Sequence, residues 1–202
     1  MTMYPVESTR SSTSESHHSV SKEALLRDLM VENMALKGRL AELQEMAYRD
    51  SLTGLFNRRF FERRIAEEES RASRGDGQRF ALVVVDVDDF KEINDSYGHG
   101  VGDQALQRVA RFLERHIRRQ DVCCRTGGDE FALLLPESGP QGAEQLVSRL
   151  RHASAGEQLV GDRPMRLSIG VAVRSGAPRD INDLVAEADL AMYRDKARRR
   201  CV

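Results

Sequence analysis

An α/β (α+β) fold is predicted by the order of segments along the chain: a mixed central sheet on a ferredoxin-like βαββαβ core, flanked by helices and preceded by an N-terminal helical segment. A buried run enriched in β-branched residues, Phe80 to Val87, stands between helical stretches. A glycine-centred turn, Thr126-Gly-Gly-Asp-Glu130, joins two short apolar runs as an antiparallel hairpin. Helical and extended stretches then alternate to the C-terminus, the pattern of helices covering a mixed sheet.

Residues 1–20 hold nine Ser or Thr and few large apolar residues, so burial cannot offset the entropy of ordering them, and a disordered tail is expected. Twenty such residues are too few to fold as a sensory domain. From Ser21 strong helix formers take over. Leu26, Leu29, Leu36, Leu40 and Leu43 fall three and four apart around Asn33, which is heptad spacing. With Leu26, Asn33, Leu40 and Ala47 at a, the d positions are Leu29, Leu36 and Leu43, and Glu32 at g faces Lys37 at e of a partner helix. Leu at d with a single Asn at a predicts a parallel coiled-coil homodimer over residues 21–49. The same stripe also suits a lone amphipathic helix packed on its own domain.

Residues 50–202 are expected to form one domain. Arg58 to Arg74 is helical up to the Gly75-Asp-Gly77 turn, and Phe80 to Val87 is a buried strand. Asp89 to Ser96 is a short helix, broken by Tyr97-Gly-His-Gly100. Val101 to Arg119 is a longer one with Leu106, Val109, Phe112 and Leu113 on one face. The hairpin pairs Val122–Arg125 with Phe131–Leu135. A helix over Gln141–His152, a strand over Met165–Val173 and a helix over Ile181–Arg200 complete the order.

Composition narrows the function. The 202 residues are 40% hydrophobic, enough for a real core, and 31 basic residues nearly cancel 32 acidic ones. A formal charge of -1 gives no general attraction to nucleic acid or to an anionic membrane. Cys123, Cys124 and Cys201 have neither disulfide nor zinc-ligand spacing, and the longest apolar run is far short of a membrane span. A soluble, cytoplasmic protein is expected, without signal peptide.

Chemistry concentrates in two acidic elements. Asp86 and Asp88 are two apart at the end of the Phe80–Val87 strand, so they share a face where the apolar run stops. Asp129 and Glu130 sit on the hairpin tip behind Gly127 and Gly128, whose missing Cβ atoms suit a tight turn close to a ligand. If the hairpin pairs beside the strand, four carboxylates converge, a charge density that calls for a divalent cation. Magnesium with a nucleotide triphosphate fits that oxygen-rich cradle. Apart from one another, the acids read equally as solvated loops.

Arg125-Thr-Gly-Gly-Asp-Glu-Phe131 resembles the signature turn of the GGDEF domain family, the diguanylate cyclases. The resemblance extends in order through Asp50-Ser-Leu-Thr-Gly-Leu-Phe-Asn-Arg-Arg59, Asp86-Val-Asp-Asp-Phe-Lys-Glu-Ile-Asn-Asp95, Tyr97-Gly-His99 with Gly102-Asp103, Ser168-Ile-Gly-Val-Ala172 and Ala188-Asp-Leu-Ala-Met-Tyr193. It implies a polymerase-palm-like sheet and the condensation of two GTP into cyclic di-GMP with release of two pyrophosphates.

By position, the resemblance makes Asp86, Asp129 and the Val87 carbonyl ligands of Mg²⁺ (or Mn²⁺), with Asp86, Asp129 and Glu130 catalytic. Gly127 and Gly128 lie against the nucleotide. The backbone of Asp88, Asp89 and Phe90, with Lys91, holds its terminal phosphates. Asn94 and Asp103 read guanine, whose N1–H and 2-amino group both donate to a carboxylate, whereas adenine would leave a buried acceptor unpaired at about 1–3 kcal/mol. Without a ligand, both residues read as helix-terminal polar groups. Lys196 and Arg200, four apart on the last helix, match phosphate-binding positions, though Arg199 and Cys201 stand where the family has glycine and asparagine.

Arg118-Arg-Gln-Asp121 resembles the family's RxxD inhibitory site, where cyclic di-GMP binds as product; Arg suits both stacking on guanine and pairing with phosphate. The same four residues also read as a basic helix end and a turn aspartate. Two rivals to a cyclase remain: an inactive GGDEF domain acting as a cyclic di-GMP receptor, and a coiled coil carrying a docking module.

Overall fold

The computed structural model describes residues 13–74, 79–176 and 178–200. The chain divides between Ala47 and Tyr48. In the first unit, helix α1 (Thr13–Tyr48) begins inside the segment expected to be a tail. Residues 13–20 are its first two turns, because extending a nucleated helix through residues free of Gly and Pro costs little per residue. The rest of the expected tail, residues 1–12, lies outside the described residues. Along α1, Leu26, Leu29, Leu36, Leu40 and Leu43 are all exposed, Leu43 at 64%. Among the described residues no helix is long and apolar enough to cross a membrane.

The second unit contains β1 (Phe56–Asn57), α2 (Arg58–Ser73), β2 (Phe80–Val87), α3 (Phe90–Tyr97), α4 (His99–Arg115), β3 (Val122–Arg125) and β4 (Glu130–Pro136). There follow α5 (Pro140–Ser154), β5 (Gln158–Val160), β6 (Arg163–Pro164), β7 (Leu167–Arg174) and α6 (Ile181–Arg200). The sheet order is β1-β3-β4-β2-β7, with β2 antiparallel to both β4 and β7. Leaving out β1, this is the ferredoxin-like arrangement that the segment order predicts.

Alternation along β2 sorts the core into two layers. Ala81, Val83 and Val85 join Phe131, Leu133, Leu106, Val109 and Leu150 on the side of α4 and α5. Phe80, Leu82 and Val84 join Ala132, Leu134, Ile65, Leu184 and Met192 on the side of α2 and α6. Each fully buried Leu or Val contributes about 1.5–3 kcal/mol, so a polar residue in either row would be costly. Gly170 lets α6 lie directly on β7, since a Cβ there would strike Ala188 O and Met192 N.

Most boundaries differ from expectation by a residue or two, and those of α4 have a structural reason. The break before the longer helix is confined to Gly98, at φ 81°, and α4 resumes at His99. The same helix stops at Arg115 rather than Arg119. There the His116 ring packs on Phe112, and Asp121 takes the Arg118 N–H at 2.8 Å, a local bond that competes with helix continuation. Thus Arg118 lies in a turn and not on a helix. Strands β1, β5 and β6, of two or three residues each, carry no readable periodicity and exist through their partners.

Candidate active site

The register of β2 assembles the acidic end. Asp86 lies opposite Glu130 of β4 on one side and Ser168 of β7 on the other, so the hairpin does pair beside the strand. The Val87 N–H donates to Asp129 O at 3.1 Å, tying the turn to the end of β2. Like Val84, Asp86 points to the α6 side, and there Lys196 Nζ donates to its Oδ1 at 2.5 Å. Asp88 Oδ1 accepts from Ser168 Oγ at 2.5 Å, while its Oδ2 is buried without a partner among the described residues.

Asp89 then takes the left-handed backbone at φ 59°, an unfavourable conformation that Asp tolerates better than most residues. It turns the chain into α3, whose first N–H groups have no partner within the helix. Phe90 and Lys91 occupy those positions, with Lys91 exposed.

The hairpin tip is held differently from the sequence expectation. Neither Gly127 nor Gly128 uses left-handed backbone. Gly127 instead lies close to the Glu130 side chain, where a Cβ would come within 2.6 Å of Oε2 and displace that carboxylate, while Gly128 faces open space. Arg125 clamps the turn, donating from Nε and Nη2 to Gly128 O at 3.2 and 2.7 Å. Its Nη1 reaches Asp50 at 3.1 Å, and Asp50 also accepts from the N–H and hydroxyl of Thr53. Burial pushes the Asp50 carboxyl up, but the Thr53 and Arg125 bonds outweigh it and hold the group below its ordinary value.

The charges are unbalanced. Burial, with the neighbouring charges of Asp129 and Asp88, holds the Asp86 carboxyl above its ordinary value despite Lys196. Burial also raises Glu130, with Asp129, Asp86 and Asp189 adding to it. Asp189 of α6, raised by burial, was not legible as part of this cluster because it comes from the far end of the chain. For Lys196, burial lowers the pKa, and the bond to Asp86 with the charges of Asp88 and Asp129 more than reverses it.

The expected convergence of four carboxylates is only partly realised. Among the described residues no three acidic, histidine or cysteine side chains are placed to enclose one ion. Asp88 is turned to Ser168 and Asp86 to Lys196. What remains is a set of hard oxygen donors in negative excess, with an orphaned buried carboxylate oxygen at Asp88. Such a set fits magnesium or manganese, whose shell is completed by waters and phosphates.

Asn94 and Asp103 lie on the consecutive helices α3 and α4. Gly102, beside Asp103, packs on the Asn94 side chain, and a Cβ there would overlap Asn94 Oδ1. Asn94 lies in the last turn of α3, its carbonyl taking the Gly98 N–H, and Asp103 lies in the second turn of α4. The Arg200 side chain lies outside the described residues. Expected as a phosphate ligand, Lys196 here bonds a carboxylate instead.

At the other end of β3, Asp121 Oδ2 accepts the Arg118 N–H, and Asp121 Oδ1 is buried without a partner among the described residues. Burial raises the Asp121 carboxyl against the opposing effects of Arg118 and Arg149. Arg149 of α5, whose Nη2 donates to His116 O at 2.5 Å, thus joins this group; 28 residues beyond Asp121, it carried no sequence signal.

This is a palm-like sheet with acidic side chains at the end of its central strand and a close approach of two short-linked helices at Gly102 and Asn94. The profile described as "Diguanylate cyclase, GGDEF domain" matches residues 47–201. The chain is 37% identical over 157 residues to the bifunctional diguanylate cyclase/cyclic di-GMP phosphodiesterase MucR of Pseudomonas aeruginosa, covering 77% of this chain and 23% of that protein. It is 38% identical over 168 residues to the diguanylate cyclase DgcM of Escherichia coli K12, covering 83% of this chain and 40% of DgcM. The chain therefore spans well under half the length of these curated relatives. The coiled coil and GGDEF domain of DgcB from Caulobacter crescentus, solved in complex with c-di-GMP, superposes with a TM-score of 0.76 at 28% identity, over 88% of this chain and 95% of that one. The protein belongs to the GGDEF family.

Proposed function

We propose that this chain is a diguanylate cyclase, condensing two GTP into cyclic di-GMP and two pyrophosphates between the facing domains of a homodimer. The observation that carries the reading is the register placing Asp86 beside Glu130, with Asp129 bonded to the end of the same strand. In each half-reaction a ribose 3′-oxygen forms a bond to the α-phosphorus of the opposing nucleotide. The bond from that phosphorus to the β-phosphate bridging oxygen breaks, and pyrophosphate leaves.

Asp86, Asp129 and the Val87 carbonyl would hold Mg²⁺ or Mn²⁺, which when bound acidifies the attacking hydroxyl and offsets charge on phosphate. Glu130, its proton affinity raised by burial and neighbouring acids, is suited to take the hydroxyl proton. The backbone of Asp88 to Phe90, with Lys91, cradles the terminal phosphates at the start of α3. Lys196 bonds Asp86 in the absence of nucleotide and would then share its charge with phosphate, with Arg200 one turn further on. Asn94 and Asp103 select guanine.

Each domain holds one nucleotide, so two must meet. The exposed leucine stripe of α1 supports a parallel coiled coil that brings them together and raises their effective concentration toward the millimolar range. Arg118, Asp121 and Arg149 form the basis for product binding and feedback. Incubating the protein with GTP and Mg²⁺ and separating the products by chromatography tests the reading. Cyclic di-GMP is expected; its absence, with tight binding of added cyclic di-GMP, would identify a receptor instead.

A further inference from the structure

Lys196 reaches Asp86 from the last helix, across 110 residues of sequence. A lysine has a flexible stem, so something must set where α6 lies along the sheet. The preceding side chain, Asp195, projects about 100° around the helix from Lys196 and does this through other partners. Its Oδ2 accepts the N–H of Ile169 at 2.9 Å, and its Oδ1 takes Arg151 Nη2 of α5 at 2.8 Å. Arg199, one turn on, lies 3.4 Å from Oδ2.

Ile169 belongs to β7, an edge strand of the sheet, where outward N–H groups have no strand to pair with. The Asp195 carboxylate is 15% exposed. It therefore spans the sheet edge, joining α6 on one face to α5 on the other through a backbone group between them. Gly170, the next residue of β7, lets the α6 backbone close on the strand at this point. A close contact and a three-way polar bond together allow α6 little sliding or rotation.

We propose that Asp195 is a positioning residue: by locking α6 to the edge of β7 and to α5, it delivers Lys196 to Asp86 and to the nucleotide phosphates. This rests on the reading of Lys196 and Asp86 as site residues. The charge of Asp195 is spent on Arg151 and Ile169 and does not face the nucleotide. Its effect on the reaction passes through Lys196.

A double-mutant cycle tests this with Asp195→Ala, Lys196→Met and the pair, in the full chain. The readouts are affinity for a non-hydrolysable GTP analogue with Mg²⁺ by calorimetry, turnover of GTP, and thermal melting. Asp195→Ala is expected to weaken analogue binding about tenfold, since small misplacements of a positioned group carry costs of that order. In the Lys196→Met background the same substitution should change affinity less than twofold. Arg151→Met, at an exposed position, should give a partial loss with an unchanged melting temperature, which keeps the test open if Asp195→Ala folds poorly. Equal losses from Asp195→Ala in both backgrounds, or none in either, would overturn the proposal while leaving the site reading intact. Full binding and turnover by Lys196→Met would instead overturn the site reading, and the proposal with it.

Discussion

Lys196 Nζ stands 2.5 Å from Asp86 Oδ1, an ion pair between the last helix and the end of the central strand. Both side chains are largely shielded, at 21% and 10% exposure, so the pair is screened far less than one on the surface. Lys196 is the only cation bonded to the acidic end of β2 among the described residues, and it bonds neither Asp129 nor Glu130. Replacing it by Lys196→Met should lower cyclic di-GMP synthesis about a hundredfold, the usual cost of removing one positioned charge from a phosphoryl-transfer site. Steady-state product formation measures this; turnover within twofold of the parent would refute the assignment.

Asp129→Ala should abolish synthesis while the protein stays folded. The contact that ties residue 129 to β2 runs from the Val87 N–H to a backbone oxygen, which alanine retains. The melting temperature should stay near the parent's, because a substitution outside the core typically shifts stability by less than about 0.5 kcal/mol. Product assay and circular dichroism melting check the two halves; residual turnover at the parent rate would exclude Asp129 from the reaction.

Acid should loosen the fold through Glu69. Its carboxylate binds Arg174, which is 1% exposed, through Oε2 to Nε at 2.9 Å and Oε1 to Nη2 at 3.1 Å. Burial pushes Glu69 up, but the Arg174 and Ser73 bonds dominate and its pKa lies below the ordinary value. The stabilisation is therefore present above the unfolded pKa of about 4.3 and is lost as pH falls through the lower folded value. Glu69→Gln leaves a buried guanidinium without its counter-charge and should cost about 3 kcal/mol at neutral pH. Urea melts from pH 3 to 7 should show that gap shrinking below about pH 4.3. A gap that widened with acid would contradict the pairing.

Arg118→Ala should relieve product inhibition without changing the initial rate. The Arg118 side chain is exposed in a turn held by its backbone N–H, and β3 separates that turn from the catalytic hairpin. Arg149→Ala should behave alike. Progress curves with added cyclic di-GMP decide: unchanged inhibition in both variants would remove the second site.

Deleting residues 1–47 should lower specific activity steeply at nanomolar protein and much less at high micromolar. The cut belongs before Tyr48, because Tyr48 packs edge-on against Phe60 at 5.5 Å and Arg49 lies over Phe56 at 4.0 Å. Asn33→Leu in the full chain should keep association but loosen the oligomeric state, since a buried Asn at an a position specifies two strands at a cost in stability. Sedimentation across the same concentrations gives the comparison. A truncated protein equally active throughout would show that α1 does not dimerise the domains.

Elements whose residues share one local environment are legible from the amino acids alone. The strand from Phe80 to Val87 and the helix from Ile181 to Arg200 were legible to the residue, because a β-branched apolar run and a run of helix formers each carry their own conformational bias. The acidic end of that strand was legible too, since period-two alternation puts Asp86 and Asp88 on one side wherever the strand lies. What those acids face depends on how the distant segments pack. Lys196, Asp189 and Ser168 come from distant segments, and nothing local to any of them reports the pairing. The same holds for Arg149 beside Asp121, for Asp195 across the sheet edge, and for β1, two residues extended because β3 is there to bond them. Local bias acts over a few residues, whereas these contacts form only once burial of both sheet faces has fixed the register between strands.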